Sequence, residues 1–282
     1  MSYNMKQFSM RWIVRILLLI YTGIVAYPLF WNIMSSFKSN FEILMNRTAL
    51  PSGLEHVADN YQRAWAAANM NQYLGNSIYV VTLSLVLHLI FVIPCAHALS
   101  RFKFFGHRAI EVLFILCLFV SGIYIIIPQY VLLFNLNMLN SLWALSLVYA
   151  VSGIPFSTFL LAGYMRTISN SYVEAARIDG ASNWMVLFRI IMPMAKPGII
   201  TISMLAVIGY WNELFLAMIV LRDPALHTIP VGVANLFEVQ QRATDFGALY
   251  AALVIVLVPT VIIYLIGQKY LIGSFNMGGV KE

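Results

Sequence analysis

Residues 171–180 read SYVEAARIDG, and the way this decapeptide folds decides how the rest of the chain divides. Ser171 followed three residues later by Glu174 has the form of a capping box, in which the hydroxyl takes the third backbone N–H and the carboxylate reaches back to the cap. A helix is therefore expected to start at Ser171 and run through Ala175, Ala176, Arg177 and Ile178 to Asp179, where Gly180 supplies the left-handed residue that commonly ends helices. Beyond it, Trp184, Leu187, Phe188 and Ile191 recur at i, i+3, i+4 and i+7, the period of a second helix with one apolar stripe. Pro193 and Pro197 should stop that helix. The segment 165–197 is thus expected to be a short helix, a glycine turn and another short helix.

On both sides of this hairpin the chain becomes strongly apolar. Of its 282 residues 61% are hydrophobic and only 10% charged, too apolar for a soluble domain. A helix crossing a hydrocarbon core of ~30 Å needs about 20 apolar residues, and charge-poor runs of that size lie at 12–34, 78–99, 109–127, 142–164, 199–221 and 248–268. These are long runs and not short alternating strands, which argues against a barrel and predicts an all-α integral membrane protein with six transmembrane helices. The first run continues through Tyr27, Pro28 and Trp31 without a small-residue cleavage site, so it reads as a retained span and not a signal peptide.

Basic residues set the expected orientation. With the N-terminus inside, Lys38, Arg47, Arg63, Arg222 and Arg242 fall outside, leaving 12 of the 17 Lys and Arg on the inner side. This distribution predicts both termini in the cytoplasm, and the hairpin with them. The formal charge of +6 then needs no nucleic acid to explain it. Cys95 and Cys117 fall within spans, lack metal-ligand spacing and read as small core residues. The expected outer connections are 37–76, with a helix over 60–71, then 129–140 and 222–246; a basic turn at 101–108 lies inside. Pro94, Gly153 with Pro155, Gly209 and Pro259 are candidate breaks at depth, tolerated where protein or a water-filled cavity covers the freed carbonyls.

On its residues alone the hairpin is either a docking element, with Ala175 and Ala176 permitting close approach, or an amphipathic hairpin lying at the membrane surface. Its sequence also resembles a known element. Glu174-Ala175-Ala176, Asp179-Gly180-Ala181, Pro193 and Pro197-Gly198 resemble, at the same spacing, the EAA loop of ABC importer permeases. Tyr210-Trp211-Asn212-Glu213, Leu221-Arg222-Asp223-Pro224, Ile229-Pro230-Val231-Gly232 and the tail Gly278-Gly279-Val280-Lys281 resemble the shorter six-span permease of maltose-transporter-type carbohydrate importers. The likeness is good from Gln72 onward and weaker before it.

The resemblance implies the type I ABC importer permease fold, with an N-terminal region 1–71, a permease domain 72–270 and a cytoplasmic tail 271–282. It implies a bacterial cell-membrane protein, with a coupling helix seated in a cleft of an ATPase subunit through Glu174, Ala175, Ala176, Asp179 and Gly180. It also implies a second permease subunit, two ATP-binding subunits, an extracellular solute-binding protein and a sugar as cargo. The loop 222–246 resembles the element that reaches toward the binding protein. No phosphate loop of the G-x-x-x-x-G-K-[ST] form occurs, so ATP and Mg are expected on the partners and no cofactor or catalytic residue on this chain.

Tyr210, Trp211, Asn212 and Glu213 are the candidate substrate pathway. An ionisable group at the bilayer centre costs roughly 2.5 to 3.5 kcal/mol, which something must offset. A water-filled path with an aromatic ring on a pyranose face would do so, and so would a polar cluster that holds helices together. Other classes remain open at this point: a permease for a polyol or other solute, an ion-coupled secondary transporter using Glu213, or an intramembrane hydrolase. For the last, His88 one turn after Ser84 lacks a third member, so a buried, hydrogen-bonded histidine is expected.

Overall fold

A computed structural model describes residues 2–67, 69–235 and 245–276, and among these every regular element is helical. Among the described residues three helices are long and apolar enough to cross a membrane: α1 (Ser2–Ser35) from Arg11 onward, α4 (Met70–Arg101), and α15 (Phe246–Asn276) as far as Gln268. Pro28, Pro94 and Pro259 lie inside them without ending them.

The other expected spans are broken: among the described residues the count reaches six only if each bent pair is taken as one span, the pairs being His107–Cys117 with Gly122–Asn135, Leu142–Ser152 with Ile154–Arg166, and Asn183–Met194 with Lys196–Asn212. The third run does not form one straight helix. It splits into α5 (His107–Cys117) and α6 (Gly122–Asn135), bent by 105°. Ser121 in the break has extended backbone, and the Ser121-Gly122 pair inside that apolar run was the turn signal. The fourth run is α7 (Leu142–Ser152) and α8 (Ile154–Arg166), bent by 44° at Gly153. The fifth stops short of Leu221: α12 (Lys196–Asn212) ends at Asn212, and a separate turn, α13 (Phe215–Val220), follows. Gly209 interrupts nothing, because it lies inside α12.

The described chain forms two compact units. One comprises 1–70 and 233–257 and contains α1, α2 (Asn40–Met45) and α3 (Val57–Ala67). The expected helix over 60–71 thus ends earlier, and Asn69, with φ 46°, separates it from α4. Asn60, fully buried, organises this unit. Its amide donates to Ser36 O (2.9 Å) and Lys38 O (2.8 Å), and its Oδ1 accepts from Arg63 (2.7 Å). Arg63 also pairs with Asp245 at 2.9 Å. Lys38 is buried, its ammonium donating to Arg47 O (3.2 Å) and lying 4.7 Å from the Trp31 ring centre. A capping box does form here, between Ser39 and Glu42. Hydrogen bonds from Ser52 and Ser39 hold the Glu42 carboxyl down at about 2.

The second unit comprises 71–232 and 258–282. Its first core cluster joins Val92, Ala96 and Leu99 of α4 to Leu161 and Met165 of α8 and to Leu187, Ile191 and Ile202. Cys95 packs against this cluster, whereas Cys117 is exposed at the end of α5 and is not a core residue. The second cluster joins Val80, Leu145, Tyr149, Ala217 and Val220. The loop after α13 passes through a 3-10 turn (Pro224–Leu226) into α14, described over 229–235; residues 236–244 of the expected outer connection lie outside the described residues. At the head of α4, Asn76 donates to Ala225 O and His227 O (3.0 Å each) and Ser77 accepts from Ile229 N (2.9 Å). Asn140, with φ 53°, accepts from Arg222 N (2.6 Å) and Asp223 N (3.1 Å).

Candidate functional site

The hairpin forms, with its start displaced. α9 (Asn170–Ile178) is capped by Ser169 and not Ser171, because Ser169 is the residue whose backbone is not yet helical (φ −58°, ψ 139°), and its Oγ accepts from Ser171 N (3.3 Å). Ser171 therefore lies inside the first turn and Glu174 is exposed on the helix surface. The far end matches the expectation. Gly180 has φ 80°, its N–H bonds to Arg177 O (3.0 Å) and that of Ala181 to Ala176 O (2.9 Å), the two bonds of a Schellman motif. A side chain at Gly180 would carry left-handed strain.

Of the five expected coupling residues, Glu174, Ala175, Asp179 and Gly180 are exposed. Ala176 is not part of that surface. It is buried with Val173 in the first core cluster, since the one-turn spacing of 173 and 176 puts both on the inner face.

The second helix departs from a single stripe. α10 (Asn183–Val186), capped by Ser182, runs into a π turn over Leu187–Ile191 and then α11 (Met192–Met194). Leu187 and Ile191 are buried, whereas Trp184 is 62% and Phe188 55% exposed, their rings stacked at 5.9 Å. The widened turn rotates one half of the apolar residues away from the core. Pro193 falls inside α11 and does not stop it; the chain instead turns by 78° at Ala195, before Pro197 in the first turn of α12. The result is an outward surface of Tyr172, Ile178, Trp184, Met185 and Phe188, with Ile178 87% exposed.

The second group lies where α4, α7, α8 and α12 meet. His88 is fully buried, with Nδ1 2.9 Å from Ala150 O and Nε2 2.8 Å from Ser157 Oγ. A carbonyl only accepts, so Nδ1 carries the proton and Ser157 donates to Nε2. One imidazole thus holds both sides of the Gly153 bend, as the expected buried, hydrogen-bonded histidine. A Cβ at Gly153 would stand 2.9 Å from His88 Cε1 and 3.2 Å from the Tyr210 hydroxyl, so the bend is packed against them.

Tyr210 stacks on Tyr149 at 5.6 Å and presents an edge to His88 at 6.1 Å. The Tyr149 hydroxyl donates to Glu213, whose carboxylate also accepts from Leu216 N (2.8 Å) and Ala217 N (3.1 Å) at the start of α13. Glu213 is therefore satisfied as a helix cap, the arrangement of a polar cluster that holds helices together. Trp211 is buried, and Asn212 donates to Ile208 O (2.8 Å) with its side chain exposed. The four expected pathway residues thus divide: Trp211 packs inward, Tyr210 and Glu213 are half-buried, the Tyr210 hydroxyl itself being buried, and Asn212 is exposed. Sequence reasoning passed over Tyr149 and Ser157, which carry no local signature, and the capping box at Ser39, which does.

This geometry has close counterparts. The model of the binding-protein-dependent transport system inner membrane component family matches residues 89–275, and the chain belongs to that family. It is 34% identical to a diacetylchitobiose uptake system permease of Streptomyces coelicolor, covering 93% of this chain and 86% of that one. To a galactooligosaccharides transport system permease of Bacillus subtilis it is 31% identical, over 92% and 91%. A chain in the crystal structure of a bacterial ABC transporter involved in the import of the acidic polysaccharide alginate shares the fold, with a TM-score of 0.80 at 24% identity over 94% of this chain and 96% of that chain. The protein is a membrane subunit of an ABC importer.

Proposed function

We propose that this chain is one of two permease subunits of a bacterial importer for a sugar, of oligosaccharide size, and that its hairpin receives the stroke of an ATPase subunit. The observation that carries the reading is α9, locked inward by Val173 and Ala176 while Glu174, Ala175, Ile178, Asp179 and Gly180 stand outward. Such a ridge fits a cleft in a partner. The excess of basic residues on the hairpin side supports both termini in the cytoplasm. The likeness to diacetylchitobiose and galactooligosaccharide permeases supports the cargo. ATP and Mg belong to two partner subunits, and a solute-binding protein meets the outer connection 222–246. Tyr210 and Asn212 stand on the sugar path, beside the cap made by Glu213. The boundaries 1–71, 72–270 and 271–282 follow the same reading.

The mechanism is a linkage. ATP closes the paired ATPase subunits, their clefts carry the docked hairpins, and the spans exchange inward-open for outward-open arrangements. Each ligand shifts that balance only by its different affinity for the two states. The deciding measurement is uptake of labelled oligosaccharides into vesicles holding the whole complex with its binding protein, for the native chain, Glu174→Ala and Gly180→Pro. Loss of uptake in Gly180→Pro, with the subunits still assembled, is expected. Uptake without ATP, or indifferent to both changes, would overturn the reading.

A further inference from the structure

The cytoplasmic ends of α4 and α8 exchange arginines. Arg101, the last residue of α4, donates from one guanidinium nitrogen to Met165 O (2.7 Å) and Ile168 O (2.8 Å), at the end of α8 and the entry to the hairpin. Its other terminal nitrogen donates to Asn170 Oδ1, at the first residue of α9. In return Arg166, the last residue of α8, donates to Leu99 O (3.3 Å) near the end of α4 and pairs with Glu111 of α5 at 2.7 Å. The Arg177 guanidinium of α9 lies 5.9 Å from the centre of the Phe102 ring, just past α4.

We infer that Arg101 is a positioning residue for energy coupling: it fastens the hairpin to α4 so that displacement of the hairpin moves that span. This rests on the hairpin being the coupling element, as proposed above. The chemistry supports the assignment on three counts. A helix C-terminus leaves carbonyls unpaired and attracts cations. A guanidinium alone among side chains offers a rigid fork of donors, so it bonds α8, the connection and α9 at once, whereas a lysine ammonium on a flexible stem is a point charge. Arg101 is also half-buried, and its bonds to Met165 O and Ile168 O are part-buried, so water competes less for those two than for the exposed contact to Asn170. Without the fork, α9 would still be held by Val173 and Ala176, and the hairpin would persist but yield under load.

The test uses the whole complex in vesicles and reads ATP hydrolysed per sugar imported, with co-purification of the ATPase subunits as the assembly check. Arg101→Ala is expected to raise that ratio by about tenfold, the order expected from losing charge-assisted hydrogen bonds. Asn170→Ala, which removes only the contact to α9, should raise it by about threefold, and Arg101→Lys should fail to restore it. A native ratio in Arg101→Ala or Arg101→Lys, or uptake and hydrolysis falling in parallel, overturns the inference. Failure of the underlying reading is distinguishable, because then Gly180→Pro itself leaves uptake intact.

Discussion

The hairpin and the His88 group are built from opposite uses of polar and aromatic residues. At His88 the polar and aromatic groups are spent on one another: the imidazole bonds Ala150 and Ser157, Tyr210 stacks on Tyr149, and Glu213 caps α13. At the hairpin, Trp184 and Phe188 stack on each other and face outward, and Ile178 stands almost bare. A closed polar group in a membrane protein fixes the shape of its own chain. An open apolar surface on a short, well-capped element is made to be completed by something else.

That contrast can be broken by substitution. The largest effect is expected for His88→Ala, which strands a carbonyl and a hydroxyl beside a new cavity; a loss of about 3 kcal/mol should appear as earlier thermal unfolding in detergent. Gly153→Val should cost about 2 kcal/mol in the same assay, because its side chain enters space held by His88 and Tyr210. If either variant unfolds like the native chain, the bend is not closed by these residues. The double change Trp184→Ser with Phe188→Ser should leave unfolding within about 0.5 kcal/mol while weakening retention of the ATPase subunits in pull-down. An unfolding loss as large as that of His88→Ala would mean the pair is core after all.

The smallest effect concerns the outer capping box. Glu42 is ionised in the fold down to about 2, against an ordinary 4.5, so its stabilising contribution is complete above the ordinary value and is lost as pH falls through that interval. Glu42→Gln should flatten the acid limb of a stability profile between these values, and an unchanged limb would show that the cap contributes nothing.

Local rules were readable in the sequence, and rules that need a partner from elsewhere were not. The left-handed Gly180 and the apolar spans of α1, α4 and α15 follow from residue type and spacing alone. The cap at Ser171 failed because two serines stand within one turn, and backbone direction on leaving α8 selects Ser169. The single stripe failed because a π turn alters the very period used to find it. The third span failed because length and hydropathy outweighed the Ser121-Gly122 pair. In the candidate pathway, Trp211 and Glu213 were recognisable as special, yet their roles depend on what surrounds them, above all Tyr149, far away along the chain.

α4 touches both the hairpin and the connection after α13. Arg101 grips the hairpin at one end, and Asn76 and Ser77 hold the connection after α13 at the other. From Asn76 to Arg101 this helix measures about 38 Å at ~1.5 Å per residue, longer than the ~30 Å hydrocarbon core. Tilting such a rod by about 10° about its middle carries its two ends through roughly 3 Å in opposite directions. On the coupling proposed above, one length of backbone would tie a push on the hairpin at Arg101 to travel of the connection at Asn76.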